Sequence, residues 1–450
     1  MTEQDYYRLS GDIMVLYEFY VYYEEKPLIG HLIRVNENTK QYRVLTNPDL
    51  ITHRDAKIPY DKLGTEVKLE NISRWSVHIG NIKNSSGRVL AYNMQMAPKK
   101  MVIFGAGASF DFSHDSKLNK ENRPPLTANL FADEYEDVLR GFAPARNLSS
   151  EILLNGGGIE DYFQKQWNRM KISTDTLLMR KLMNTQYYIY NLFRKVSMDH
   201  AFQRRNNYNA ISKWAYEYAE TKNQNVVFVT FNYDVLLDWA LEGTCDYSYK
   251  TVDDYVDTSN KNILLFKPHG SCNWGRKFAR GFSNDVEALR KKHNKLNSLA
   301  EYLYNGKFDV PTVTDALEEN ISIHSVPMVN PNLKTEMEPE EWIFPHILLP
   351  YKDKDEFVMP ENHTYQLRSM LHDIEEILII GWKGTEAAFQ EILKNSLGDK
   401  KIKISVVTEK SEDIRETYKT IFPKMEDQDW TFHKGGFSKY IAKGNDFFSL

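Results

Sequence analysis

Three short segments of this sequence place glycine or polar residues directly behind apolar runs of strand length. MVIF at 101–104 is followed by Gly105, Ala106, Gly107 and Ser109, VVFVT runs into Thr230, Asn232 and Asp234, and ILLF leads through Pro268 into His269 and Gly270. Glycine permits a tight turn and a close backbone approach to a phosphate. Amides exposed at the start of a following helix favour an anion, and Ser109 could add a hydroxyl contact. Asn232 can hold a water or a carboxamide through its donor and its acceptor, and Asp234 can accept from an amide or a ribose hydroxyl. His269 can move a proton near neutral pH.

Each segment taken alone has a plainer reading. A GxG behind a strand is also an ordinary strand-to-helix turn. The third glycine of the dinucleotide fingerprint is replaced by Phe110, and no strand ending in an acidic residue follows. An ordinary dehydrogenase is therefore not expected. Helix capping would account for Asp234, and a structural role would account for a lone histidine. Conjunction is what gives the three weight. In an open α/β sheet the carboxyl ends of the strands face one crevice, so loops behind three such strands should converge there.

The elements that must hold these loops follow from hydrophobic periodicity. Fully apolar strands are expected at 101–104, 226–230, 263–266, 377–380 and 402–407, and helices at 127–140, 174–196, 209–222, 233–243 and 385–397. In the helix over 174–196, Leu178, Leu182, Ile189 and Phe193 mark one apolar stripe. Strands apolar on both faces and separated by helices imply an α/β fold, a Rossmann-like parallel sheet with helices on both faces. Two helical insertions interrupt it, at about 140–222 and about 283–340; Asn284 and Glu287 look like a capping box opening the second. Residues 1–97 differ. HLIRV, QYRVLT, WSVHIG and VLAYNM alternate apolar and polar side chains between turn-rich links, which predicts a small β-rich N-terminal module ahead of a domain over 98–450.

Composition narrows the function classes. The chain has 450 residues, 42% hydrophobic and 26% charged, with a net charge of −5, so it has a globular make-up and no overall basic footprint for nucleic acid. Its two cysteines, Cys245 and Cys272, cannot build a zinc ribbon, and such scarcity suits a reducing compartment. No secretory signal and no run of membrane-spanning length is visible, so a cytoplasmic protein without membrane contact is expected.

The three motifs, in this order, resemble the sirtuin family. GAGAS at 105–109 looks like its GAGxS loop, Thr230, Asn232 and Asp234 match its TxNxD, and His269-Gly270 matches its HG. PHILLPYKDK, ILIIGWKGTE, KISVVTE and GGFSKYI are similar to the tail of that fold, so the likeness spans about 99–441. Sirtuin deacylases carry a four-cysteine zinc module, absent here, and GIPDFR where this chain has RPPLT at 123–127. RPPLT looks more like the bacterial antiphage-defence relatives that destroy NAD+. The resemblance thus implies an NAD+ hydrolase that releases nicotinamide and ADP-ribose as an abortive-infection effector, with NAD as substrate and no metal. Gly105, Ala106, Gly107 and Ser109 would hold the pyrophosphate, Thr230 belongs to the motif that binds the cofactor, and Asp234 would bind the carboxamide or nearby ribose. Asn232 would position water and His269 would act as general base. Gly381, Thr385 with Glu386, and Thr408 with Glu409 would flank the adenine ribose by analogy; Thr385 reads equally as a helix cap. Phe437 could pack on adenine or in the core, and Arg123 could pair with phosphate or stay solvated. The resemblance also implies silence until triggered, by homo-oligomerisation or by a partner such as a HerA-type ATPase or a short Argonaute protein, with the N-terminal module as docking surface. An NAD-dependent protein deacylase and a non-catalytic nucleotide-sensing module are the alternatives.

Overall fold

The computed structural model describes residues 98–113, 123–154, 158–172, 176–201, 206–258, 261–279, 312–313, 341–351, 357–397, 400–409, 418, 421–422 and 429–449, together with the strand backbone between residues 15 and 90. That N-terminal backbone forms an antiparallel five-stranded sheet from β1 (Val15–Tyr23), β2 (Lys26–Asn36), β3 (Gln41–Leu45), β4 (Glu66–Lys68) and β5 (Val89–Leu90), in the order β4-β3-β2-β1-β5. HLIRV lies in β2, QYRVL is β3 and the first two residues of VLAYNM are β5, while WSVHIG lies outside the described residues.

The centre of the fold is a six-stranded sheet of β6 (Lys100–Phe104), β7 (Val226–Thr230), β8 (Ile263–Phe266), β12 (Glu376–Ile380), β13 (Lys403–Thr408) and β14 (Asp429–Lys434). Every neighbouring pair is parallel, and the spatial order is β14-β13-β12-β6-β7-β8. Counted along the chain this is the 3-2-1-4-5-6 order of the Rossmann fold, whose order reverses between β6 and β12. Every residue of β6, β7 and β8 is buried, as strands covered on both faces must be. Right-handed crossovers explain the two-sided cover. The chain steps one way from β6 to β8 and the other way from β12 to β14, so the connecting helices fall on opposite faces.

Helices α1 (Ala106–Phe110), α6 (Asn207–Lys222), α7 (Leu236–Cys245), α8 (Glu361–Leu371), α9 (Ala387–Leu397) and α10 (Gly436–Lys443) belong to this sheet; α6 packs on α7 and α10, and α8 on α9. Between β6 and β7 stand α3 (Ala143–Leu154), α4 (Ile159–Ile172) and α5 (Thr176–Asp199), with a short α2 (Glu136–Leu139) before them. The stripe expected on α5 is buried at Leu178, Leu182, Ile189 and Phe193. These helices have a core of their own, and Tyr233, Val235, Leu348 and Leu349 from loops at the sheet's carboxyl edge, with Cys272 just beyond His269, belong to it. The helical block is therefore packed over that edge rather than hung to one side.

Three expectations change. The helix expected over 127–140 is two 3-10 turns, Thr127–Asn129 and Asp133–Tyr135, followed by one short α turn in α2. GSCNW, read as a loop, opens a ten-residue strand β9 (Gly270–Ala279), flanked by β10 (Thr312–Val313) and β11 (Glu341–Ile347). So β10 puts strand within the second expected helical block, while most of 283–340, including the capping box at Asn284 and Glu287, lies outside the described residues. The helix after TFNYD begins at Leu236, three residues later than expected, because Asp234 and Val235 turn first.

Candidate active site

The two loops at the switch point lie backbone against backbone. A Cβ on Gly105 would sit 2.4 Å from the Trp382 Cα, one on Gly107 would be 2.9 Å from the Gly381 Cα, and one on Gly381 would be 2.5 Å from the Ala108 nitrogen. Gly381 also has φ +61°, a region closed to most side chains. The Gly105 amide donates to the Ile380 carbonyl (3.0 Å), Gly107 to Gly381 (3.1 Å) and Ala108 to Gly105 (2.9 Å). Three amides of the glycine loop are thus engaged with protein carbonyls. The loop has less capacity to cradle a pyrophosphate than its glycine content suggests; those glycines let the loops touch.

Asn232 enters this junction from the end of β7. Its side-chain nitrogen donates to the Gly105 carbonyl (2.9 Å) and to Ser109 Oγ (2.8 Å), and lies 3.2 Å from the Tyr208 hydroxyl. A carbonyl only accepts, so the Gly105 contact fixes which end of the amide is nitrogen. Asn232 Oδ1 is then the remaining acceptor of the amide. Thr230 holds the turn, its hydroxyl accepting from the Asn232 amide (3.2 Å). Ser109 and Tyr208 share a hydrogen bond (2.8 Å), and burial pushes the Tyr208 hydroxyl well above its usual range, with the Asp234 carboxylate adding to the shift.

Asp234 is buried one turn beyond. Its Oδ1 accepts from the amide of Leu236, the first residue of α7 (3.2 Å), and Oδ2 makes no hydrogen bond of good geometry. Burial raises its carboxyl above the ordinary range, opposed by the Ser109 hydroxyl, the Lys267 ammonium and the Leu236 amide.

His269 reaches the same place from the end of β8. Its Nδ1 lies 3.2 Å from the Phe231 carbonyl, the residue beside Asn232. Because that oxygen only accepts, Nδ1 carries the proton, and Nε2 is the acceptor of the neutral ring. The Phe231 ring stacks on Trp382 (5.5 Å, 10° between planes) and tilts against His269 (4.9 Å). The turn is tight: Gly270 has φ +76°, and a Cβ there would fall 2.0 Å from the His346 carbonyl. The segment at 345–351 closes over it, with Leu348 donating to the His269 carbonyl (2.9 Å).

Lys267, Asp238, Tyr208 and Trp382 were not singled out in the sequence. The Lys267 ammonium, fully buried, donates to Asp238 Oδ2 (2.8 Å) and to the Asp234 carbonyl (3.0 Å), bridging the loops that carry His269 and Asn232. Tyr255 donates to the other oxygen of Asp238 (2.7 Å).

The remaining candidates separate. Gly381 lies in the loop junction. Thr408 is buried at the end of β13, where its carbonyl accepts from Gly435 (3.0 Å). Thr385 is exposed, and Glu386 turns inward to accept from the Trp382 indole (2.5 Å). Phe437 is core, packed on Phe104 and Tyr208. Arg123 is not simply solvated: its guanidinium lies 4.2 Å over the Phe110 ring. Among the described residues, no group of three or more His, Cys, Asp or Glu is placed to hold a metal ion, and no helix is long and apolar enough to cross a membrane.

The class defined by this geometry is a Rossmann-type α/β domain with a polar junction at its switch point. No family model matches the sequence, and no curated protein matches it. Among solved structures, this chain is similar to one from "The Structural basis of Sirtuin Substrate Affinity", at 10% identity over 77% of this chain and 92% of that chain, with a TM-score of 0.32. It is also similar to one from "Structural Basis for the Mechanism and Regulation of Sir2 Enzymes", at 11% identity over 78% of this chain and 91% of that one, with a TM-score of 0.32. Likeness of this degree bears on neither activity nor substrate.

Proposed function

We propose that this chain is an NAD+ hydrolase that cleaves the bond between nicotinamide and ribose. The observation that carries the proposal is the meeting of Asn232 and His269 at Phe231, beside the Gly105 carbonyl. Side-chain acceptors gather there: Asn232 Oδ1, His269 Nε2 and Asp234 Oδ2. Such a set suits a water, ribose hydroxyls, a carboxamide NH2 and a cationic ring, so the residues present fit the nicotinamide half of the dinucleotide. NAD+ supplies a positively charged nicotinamide as leaving group. Asn232 holds the attacking water through its amide oxygen, and His269 accepts a proton at Nε2. Asp234 accepts from the carboxamide or a ribose hydroxyl. Phe231 and Trp382 wall one side against solvent, where electrostatic contacts gain strength. Gly105, Ala106, Gly107 and Ser109 are the nearest elements to a pyrophosphate; Gly381 and Thr408 stand at the strand ends towards the adenosine.

In the cell this reaction would make the protein an effector of antiphage defence that depletes NAD+ by abortive infection. Its trigger would be self-assembly or a partner ATPase of the HerA type. The helical block packed over the carboxyl edge gives such a trigger a direct mechanical route to the site.

The test is to incubate purified full chain with NAD+, without any acylated peptide, and to measure nicotinamide and ADP-ribose. Wild type in its assembled or partner-bound state should release both, and Asn232→Ala and His269→Ala in the same state should each lose at least about 100-fold, the usual worth of a positioned base. Either variant matching wild type refutes the assignment. Release that requires an acyl-lysine peptide favours a deacylase, and binding without release favours a nucleotide sensor.

A further inference from the structure

We infer that Tyr208 is the residue that positions Asn232, an inference that rests on the hydrolase reading for its kinetic consequence but not for its geometry. Tyr208 stands on α6, far from both motifs in sequence, and is fully buried. Its hydroxyl bonds Ser109 Oγ (2.8 Å) and lies 3.2 Å from Asn232 Nδ2. The Asn232 nitrogen has two protons and three acceptors around it: the Gly105 carbonyl, Ser109 and Tyr208. With all three in place, rotating the amide by half a turn would set its oxygen against the carbonyl oxygen of Gly105. The oxygen is therefore held in one direction only, away from the Gly105 carbonyl. Without the phenol, Ser109 keeps only Asn232 and the Asp234 carboxylate as side-chain partners, and the amide gains freedom about its last torsion.

The phenol is itself rigidly placed. The neighbouring Asn207 donates from Nδ2 to the Asp111 carbonyl (2.6 Å) and to Ser438 Oγ (2.9 Å), and its amide donates to the Phe112 carbonyl (2.7 Å). The Tyr208 ring packs edge-on against Phe104 (5.5 Å) and Phe437 (5.6 Å). The start of α6, which closes the helical block, is thus pinned to the end of α1 and to α10, and it delivers one hydroxyl into the site. High burial keeps that hydroxyl protonated, so it remains able to donate at any physiological pH.

Tyr208→Phe keeps the ring packing and removes only the hydroxyl. In the full chain with NAD+, kcat should fall roughly tenfold with KM within about twofold, because a hydrogen bond of this kind accounts for about one factor of ten. A merely structural loss would instead reduce the active fraction and lower the melting temperature. In protein labelled with 15N-asparagine, the Asn232 side-chain signals, assigned with Asn232→Asp, should move and exchange faster in Tyr208→Phe. Ser109→Ala should displace the same signals and serves if Tyr208→Phe does not fold. Unmoved signals overturn the inference whether or not NAD+ is consumed. Moved signals with unchanged kcat overturn the kinetic half. Moved signals in Tyr208→Phe, with assembled or partner-bound wild type releasing no nicotinamide, leave the positioning intact and refute the hydrolase reading instead.

Discussion

Replacing Gly381 by alanine tests the loop junction on which the site rests. The new Cβ would lie 2.5 Å from the Ala108 nitrogen and 2.6 Å from the Gly107 carbonyl carbon, both backbone atoms that cannot swing aside. At φ +61° the side chain also carries the left-handed penalty, about 1–2 kcal/mol. Forcing packed backbone apart adds about 1–3 kcal/mol. The sum, about 2–5 kcal/mol, is a large share of a stability of about 5–15 kcal/mol. It should lower the melting temperature by at least about 2 °C. Because Gly105 and Gly107 lean on the same residue, the Asn232 contact to the Gly105 carbonyl should loosen and nicotinamide release should fall with it. Gly243→Ala is the control: nothing lies within 4 Å of its Cβ, and it sits in α7, so it should stabilise by about 0.5–1 kcal/mol. Thermal unfolding of the two variants beside wild type, with nicotinamide assayed below the transition, decides the matter. A Gly381→Ala protein that melts within about 1 °C of wild type and keeps its turnover would refute the account of the junction.

Other outcomes follow from the buried charges. Lys267→Met leaves Asp238 charged and buried without its cation, which typically costs about 3–5 kcal/mol, whereas Lys267→Met with Asp238→Leu should regain most of it. Denaturant midpoints of the single and double variants check this, and a double variant as unstable as the single would contradict it. Asp234 has its carboxyl raised by burial, so its ionisation opposes folding: its contribution is most favourable below the ordinary carboxylate range and is lost as pH rises through the raised value. Asp234→Asn should therefore melt above wild type at pH 8, with the gap closing towards pH 4. A gap that stays constant with pH would show that Asp234 does not titrate between those limits.

Much of this fold can be read from residue type because burial on both faces demands it. The four consecutive apolar residues of MVIF, VVFV, ILLF and ILII are best placed in an internal parallel sheet, whose carboxyl ends then direct Asn232 and His269 to one edge. Elements held by other means escape that logic. β14, with the sequence DWTFHK, lies at the edge of the sheet and is only partly buried, so it carries no apolar run. β9 begins with a glycine and alternates small, polar and aromatic residues, which resembles a loop until its partners β10 and β11 are known. The supporting residues are harder still. Lys267 reads as a solvated lysine behind a strand, and only its distance to Asp238 reveals a buried pair. Tyr208 reads as one more aromatic on the core face of a helix, since periodicity places the ring and says nothing of the hydroxyl. The glycines of GAGAS and Gly381 illustrate the reverse error: their type signals close approach, but the sequence does not say whether a ligand or another loop approaches.

The junction of β6 with β12 has a consequence for when the protein becomes competent. The carbonyls that receive Gly105 and Gly107 belong to Ile380 and Gly381, 275 and 274 residues further along the chain. A nascent polypeptide that has emerged through the first two motifs and His269 still has a glycine turn with nothing to lean on. Assembly of the centre therefore waits until β12 and Gly381 have been made.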